Sequence, residues 1–226
     1  MKDILKRSLK SIGMILLMLL FTSFFFSIIG INPFSLNEKD YIKYITIANI
    51  ILIIIYIIIY RKTLLKDIKD YIKNFPKYLI TSLKYWFIGL IIMIIANTLI
   101  SLIFQKGIAG NEEDVRKFLD IYPLYMLFNT AIYAPLTEEL TFRKSIKDAI
   151  SNKWFFAITS GLVFGLLHVI GYIKDWTDFI FLIPYATLGI SFALLYHKTD
   201  NIYCPMSMHM MHNLIAVITY LIGDLL

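Results

Sequence analysis

The sequence predicts an all-α fold, a polytopic bundle of about seven to eight membrane-spanning helices. Three observations carry that prediction. The 226-residue chain is 58% hydrophobic with a mean hydropathy of +0.70, whereas soluble domains are roughly 45–50% apolar. The excess lies in blocks long enough to span a bilayer, about 20 residues each. The basic residues fall in short stretches between those blocks. The net charge of +6 therefore matters less than its placement. The same placement argues against a nucleic-acid partner and for membrane lipid.

The first block runs from Ile12 to Ile31 and ends at Asn32-Pro33. Lys2, Lys6, Arg7 and Lys10 precede it in the manner of a signal peptide. No small-residue cleavage site follows, so the expectation is an uncleaved first span. A second span is expected over Ile42–Tyr60, stopping at Arg61-Lys62. The next stretch holds Arg61, Lys62, Lys66, Lys69, Lys73, Lys77 and Lys84, with Leu64, Leu65, Ile68, Tyr71 and Ile72 at helical spacing. Two readings stand side by side, an amphipathic helix on an anionic membrane face and a solvated loop helix. Tyr85–Phe104 is the third span, and Gln105–Asp120 reads as a polar, locally acidic loop. A fourth helix covers Tyr122 to Ile150, kinked by Pro135. Trp154–Tyr172, Phe179–Tyr196 and Tyr203–Ile222 complete seven spans.

Lys/Arg asymmetry places the N-terminus, the Arg61–Lys84 stretch and the turns at Lys144–Lys153 and His197-Lys198 in the cytoplasm. The single cysteine, Cys204, excludes an intramolecular disulfide and leaves the redox compartment open.

Within the last four spans the strongly polar side chains are Glu138, Glu139, Arg143, His168, His209, His212 and Asn213. A charge at the centre of a spanning helix costs about 2.5–3.5 kcal/mol and by default marks function. At 1.5 Å per residue, Glu139 lies roughly 16 Å, His168 roughly 22 Å and His209 about 10–13 Å from the cytoplasmic turns. One cluster, between the cytoplasmic half and the midplane, is the expectation. Glu139 and Arg143 stand i,i+4 with the acid first, the favourable order for an ion pair. Glu138, rotated about 100° away, is left free on its own helix. Phe164 and His168 share a face, as do His209 and Asn213, and Gly161-x-x-x-Gly165 permits close helix approach. Singly, each feature has a structural reading: a packing ion pair, an interhelical hydrogen bond, a helix contact. His212 fits the spacing least.

A free carboxylate beside a histidine suits general-base activation of water. On that reading Glu138 and His168 move the proton, while His209 and Asn213 hold a developing oxyanion. A metal version would set Glu138 or Glu139, His168 and His209 around Zn²⁺. Nothing in the sequence decides between metal and metal-free forms. His-Glu-x-x-His and Gly-x-Ser-x-Gly are both absent.

Glu138-Glu139-x-x-x-Arg143, Phe164-x-x-x-His168 and His209-x-x-x-Asn213, in that order, resemble the CPBP family. These are the CAAX-protease and bacteriocin-processing (Abi) membrane proteins, related to the type II CAAX prenyl endopeptidase. The resemblance covers Tyr122 to Ile222. It implies a hydrolase in which Glu138, His168, His209 and Asn213 are catalytic and Glu139, Arg143 and Phe164 supporting. It further implies a bacterial, multi-pass cell-membrane protein associated with peptide processing or bacteriocin immunity. Residues 1–226 are then one membrane domain, with peripheral helices and the basic segment in 1–120 and the catalytic core in 121–222. The rival expectation is a non-catalytic immunity or scaffold protein that binds a peptide partner.

Overall fold

The computed structural model describes residues 2–223; Met1 and residues 224–226, part of the 1–226 expectation, lie outside the described residues. Eight helical stretches follow one another, with no strand among the described residues. They are α1 (Lys2–Ile28), α2 (Glu38–Lys73), α3 (Phe75–Phe104), α4 (Gly110–Ile121), α5 (123–149), α6 (Lys153–Val169), α7 (Leu182–Thr199) and α8 (Tyr203–Gly223). By length and composition α1, α2, α3, α6, α7 and α8 can each cross a membrane. The chain is therefore a multi-pass membrane protein. Ile54, Ile58, Ile80 and Ile94 and many similar side chains are exposed on α2 and α3, as a lipid-facing surface requires.

Several expected boundaries move, and the reasons are physical. The first helix starts at Lys2 rather than Ile12 and stops at Ile28, where Gly30 adopts φ +67. Arg61-Lys62 does not end the second helix, which runs on to Lys73. Charge ends a membrane span but not a helix, because Lys and Arg are good helix formers. The third helix begins at Phe75, directly after Asn74, with Pro76 in its first turn where no N–H is needed. The basic stretch is thus neither a separate surface helix nor a loop. It is an elbow built from the end of α2 and the start of α3.

That elbow is clamped to the α7–α8 turn. Buried Asp67 accepts from the Ile202 N–H at 3.0 Å. Asn201 donates to the Asp67 carbonyl at 2.8 Å and to Asp70 at 3.1 Å, and Tyr78 donates to Asp70 at 2.5 Å. Asp200 ends α7 in the left-handed region, which turns the chain sharply enough to present Asn201 and Ile202.

Helices α6 and α7 pack the most closely. A Cβ on Gly161 would lie 2.8 Å from the Ala186 carbonyl oxygen, and one on Gly165 would lie 2.9 Å from the Ala186 nitrogen. Both contacts are with backbone, which cannot swing away. Gly161→Ala is expected to destabilise the protein by about 1–3 kcal/mol, read as a lowered unfolding midpoint in detergent. An unchanged midpoint would show that the two helices can separate freely.

The expected helix at Tyr122–Ile150 is observed as α5, but its path is mixed. Pro123–Phe128, Ala134–Glu138 and Ile146–Ala149 are α-helical, while Asn129–Tyr133 and Glu139–Ser145 widen into π turns. Pro135 lacks an N–H, and the π turn before it makes room for its ring without a sharp break. Hydroxyls bond the carbonyls along this path: Thr137 to Tyr133, Ser145 to Thr141 and Ser160 to Phe142, at 2.5–2.8 Å. Gln105–Asp120 also differs from expectation, since most of it is the helix α4. Its Glu112–Arg116 pair (3.0 Å, i,i+4) and acidic first turn support the helix.

Candidate active site

Glu138 and Glu139 are consecutive, but their surroundings differ. Glu139 is fully buried, with Oε1 2.8 Å from His209 Nδ1 and Oε2 3.1 Å from Arg143 Nε. The Arg143 contact is a charge contact rather than an aligned hydrogen bond, and Nη1 and Nη2 have no protein acceptor. The guanidinium is instead held over the rings of Phe164 at 4.7 Å and Phe192 at 5.9 Å. A planar, weakly hydrated cation tolerates such a site better than an ammonium would.

Glu138 faces the other way, into a cavity of about 220 Å³. Its Oε2 has no hydrogen-bond partner and lies 3.8 Å from His209 Nε2. His209 thus bridges the two acids, with Nδ1 engaged by Glu139 and Nε2 turned toward Glu138.

His168 sits one residue before the end of α6 and lines the same cavity. Its Nδ1 is 2.8 Å from the Phe164 carbonyl oxygen. A carbonyl only accepts, so Nδ1 carries the proton and the neutral ring keeps its lone pair on Nε2. The ring lies against Phe164 at 4.3 Å and Tyr185 at 4.9 Å, which fixes its plane. Phe164 also packs edge-on against His209, so one aromatic residue orients both imidazoles and the Arg143 guanidinium.

Asn213 lines the cavity and donates to the Thr130 carbonyl at 2.7 Å. That carbonyl lies in the first π turn of α5, so the turn positions the amide and leaves its second N–H available. Glu138, His168, His209 and Asn213, expected to meet, do line one cavity. Phe164 lines it too, while Glu139 and Arg143 pack behind it.

Sequence reasoning missed several lining residues. Asn111 and Glu112 reach the cavity from α4, and Asn111 donates to the Tyr185 hydroxyl at 3.4 Å. His212, the least regular by spacing, lines the cavity too, with Trp86 donating to its Nδ1 at 3.4 Å. The Glu112–Arg116 spacing was the available signal for α4. His212 stands in the sequence as an intramembrane polar residue, but its spacing gives no partner.

The metal version built on Glu139 does not fit these residues. Glu139 spends Oε1 on His209 and Oε2 on Arg143, so it is not a free ligand, whereas the carbonyl on His168 Nδ1 leaves Nε2 open. Among the described residues, no three His, Cys, Asp or Glu side chains are grouped as metal ligands. Cys204 is buried near the elbow and does not line the cavity.

The type II CAAX prenyl endopeptidase family, Rce1-like, matches residues 120–215, the stretch that supplies α5, α6, α7 and most of α8. Over that stretch, less than half of its length, the chain is similar to the CPBP, or CAAX-protease, family. Among curated relatives, the chain is 35% identical over 152 residues to the candidate membrane peptidase YdiL of Bacillus subtilis (strain 168), covering 59% of this chain and 58% of that one. It is 30% identical over 146 residues to an uncharacterized protein of Mycoplasma capricolum, covering 58% and 41%. The UPF0177 protein YvdC of Lactococcus lactis is 23% identical over 134 residues, covering 58% and 49%. The chain thus spans about half the length of these relatives. No solved structure matches it.

Proposed function

We propose that this protein is a membrane endopeptidase that hydrolyses a peptide bond in a small membrane-associated peptide or protein, using a water activated by Glu138. The observation that carries the proposal is the unequal treatment of two adjacent acids. Glu139 is fully buried between His209 at 2.8 Å and Arg143 at 3.1 Å, while Glu138 Oε2, 3.8 Å from His209 Nε2, faces a cavity shared with His168, His209 and Asn213.

In this reading Glu138 takes a proton from water as the water oxygen attacks the peptide carbonyl carbon. His168 Nε2, the nitrogen with the free lone pair, accepts a hydrogen bond from the same water and holds it in line. The carbonyl π electrons move to oxygen, and that oxyanion receives hydrogen bonds from the free Asn213 N–H and from His209 Nε2 when it carries a proton. Collapse of the tetrahedral intermediate breaks the C–N bond, and the proton held by Glu138 goes to the leaving amine. Glu139 orients His209 through Nδ1, and Arg143 holds Glu139 in place.

The family's membrane-protease character and the peptidase description of the Bacillus subtilis relative support this reading. Purified protein in proteoliposomes, offered candidate membrane peptides, should release cleaved product. The rate should be the same with and without a strong chelator, because among the described residues no three ligand side chains are grouped for a metal. Loss of cleavage on chelation, restored by Zn²⁺, would overturn the metal-free mechanism.

A further inference from the structure

His168 lines a second cavity as well as the first. This one, about 440 Å³, is bordered by Lys106, Glu113, Asp114, Lys117, Lys174 and Asp175. All six belong to the α3–α4 connection, to α4, or to the loop after α6. They lie at the end of the bundle away from the elbow and from the α5–α6 turn at residues 150–152. His168 itself is about 22 Å along α6 from Lys153. The imidazole therefore stands between the Glu138 cavity and a charged vestibule at that far end.

The vestibule is built rather than merely open. Lys106 bridges Asp175 at 2.9 Å and Asp178 at 2.5 Å, tying the end of α3 to the loop after α6. The Asp178 carboxylate beside Lys106 holds its ammonium above the usual lysine range. Tyr172 packs where a Cβ on Gly110 would stand, at 2.7–2.9 Å, so α4 is seated directly on that loop.

In the opposite direction the cluster is sealed. Phe142, Phe156, Phe192, Leu195 and Ile202, between the cluster and the elbow, are each 0–1% exposed. That packed layer closes the cluster toward the basic end.

The two ends differ in charge. The elbow and the α5–α6 turn carry half of the lysines, whereas around the vestibule the acids Glu112, Glu113, Asp114, Asp120, Asp175 and Asp178 outnumber the bases Lys106, Arg116, Lys117 and Lys174. Lys/Arg bias marks the cytoplasmic side.

We propose that the reaction centre is served from the non-cytoplasmic surface, through the vestibule over His168, so that the substrate is a peptide whose scissile bond is presented at the outer face of the membrane. The word substrate rests on the endopeptidase reading above; the route does not.

Single cysteines in a Cys204→Ser background test it on the full chain. Lys174→Cys marks the vestibule rim, Ala134→Cys and Ala216→Cys mark the Glu138 cavity, and Lys153→Cys marks the basic end. The probe is a charged, membrane-impermeant methanethiosulfonate added to intact cells. Lys174→Cys and at least one of the two cavity cysteines should react from outside, and Lys153→Cys only after permeabilisation. Cavity cysteines that react only together with Lys153→Cys, or that never react while Lys174→Cys does, would overturn the route. Lys153→Cys reacting in intact cells would overturn the outer-face substrate. Adding Glu138→Gln should leave the labelling pattern unchanged, so failure of the peptidase reading and failure of the route give different results.

Discussion

Glu138→Gln is expected to lower peptide cleavage by at least about 10²–10⁴-fold, the usual size of a general-base contribution, while the protein stays folded. The substitution keeps the side-chain shape and removes only the capacity to hold a proton between water and amine. It also removes a negative charge adjacent to Glu139, so the unfolding midpoint should hold or rise slightly. Cleavage kinetics in proteoliposomes, paired with thermal unfolding in detergent, would show the separation. Full activity in Glu138→Gln would remove Glu138 as the base. A parallel fall in stability would mean that this carboxylate is a packing element after all.

Arg143→Met should do the reverse, striking stability first. Both members of the Glu139–Arg143 contact are fully buried. Removing one partner of a buried pair typically costs about 3–5 kcal/mol, because the remaining charge is left uncompensated. The expected result is a large loss of unfolding midpoint and of folded yield. The double variant Glu139→Met with Arg143→Met should recover much of that stability, since two apolar side chains of similar size need no compensation. Activity should not return with it, because His209 Nδ1 would have lost the carboxylate that orients it. If the double variant were active, Glu139 would be dispensable and His209 would be positioned by Phe164 and Phe192 alone.

Much of this architecture is legible in the residues alone. The apolar blocks mark the helices, and i,i+4 spacing correctly pairs Glu139 with Arg143 and leaves Glu138 turned away. What spacing cannot show is where the cluster opens. Depth counted from the cytoplasmic turns points to the cytoplasmic half, whereas the cavity extends toward α4 at the far end. The sequence of α4 reads as a loop because only one of its faces is apolar and Glu112, Glu113 and Asp114 dominate its composition. The continuation of α2 past Arg61 is hidden for a related reason. Hydropathy reports where lipid ends, and a helix stabilised by Asp67 and Asn201 does not end there. The π turns are beyond local reading altogether, because partners such as Ser160 and Asn213 come from other helices.

The elbow has a mechanical consequence. At 36 residues α2 is about 54 Å long, against a hydrocarbon thickness of about 30 Å, so it overshoots the bilayer on the lysine-rich side. Each Lys or Arg near an anionic lipid surface contributes roughly 1 kcal/mol of attraction. The elbow carries seven of them between Arg61 and Lys84, and its two acids, Asp67 and Asp70, are occupied in the clamp to Asn201 and Ile202. On the route proposed above, headgroup contacts would moor the molecule at one face while its chemistry opens toward the other. Lipid charge in one leaflet would thereby set how high the vestibule rides above the opposite one.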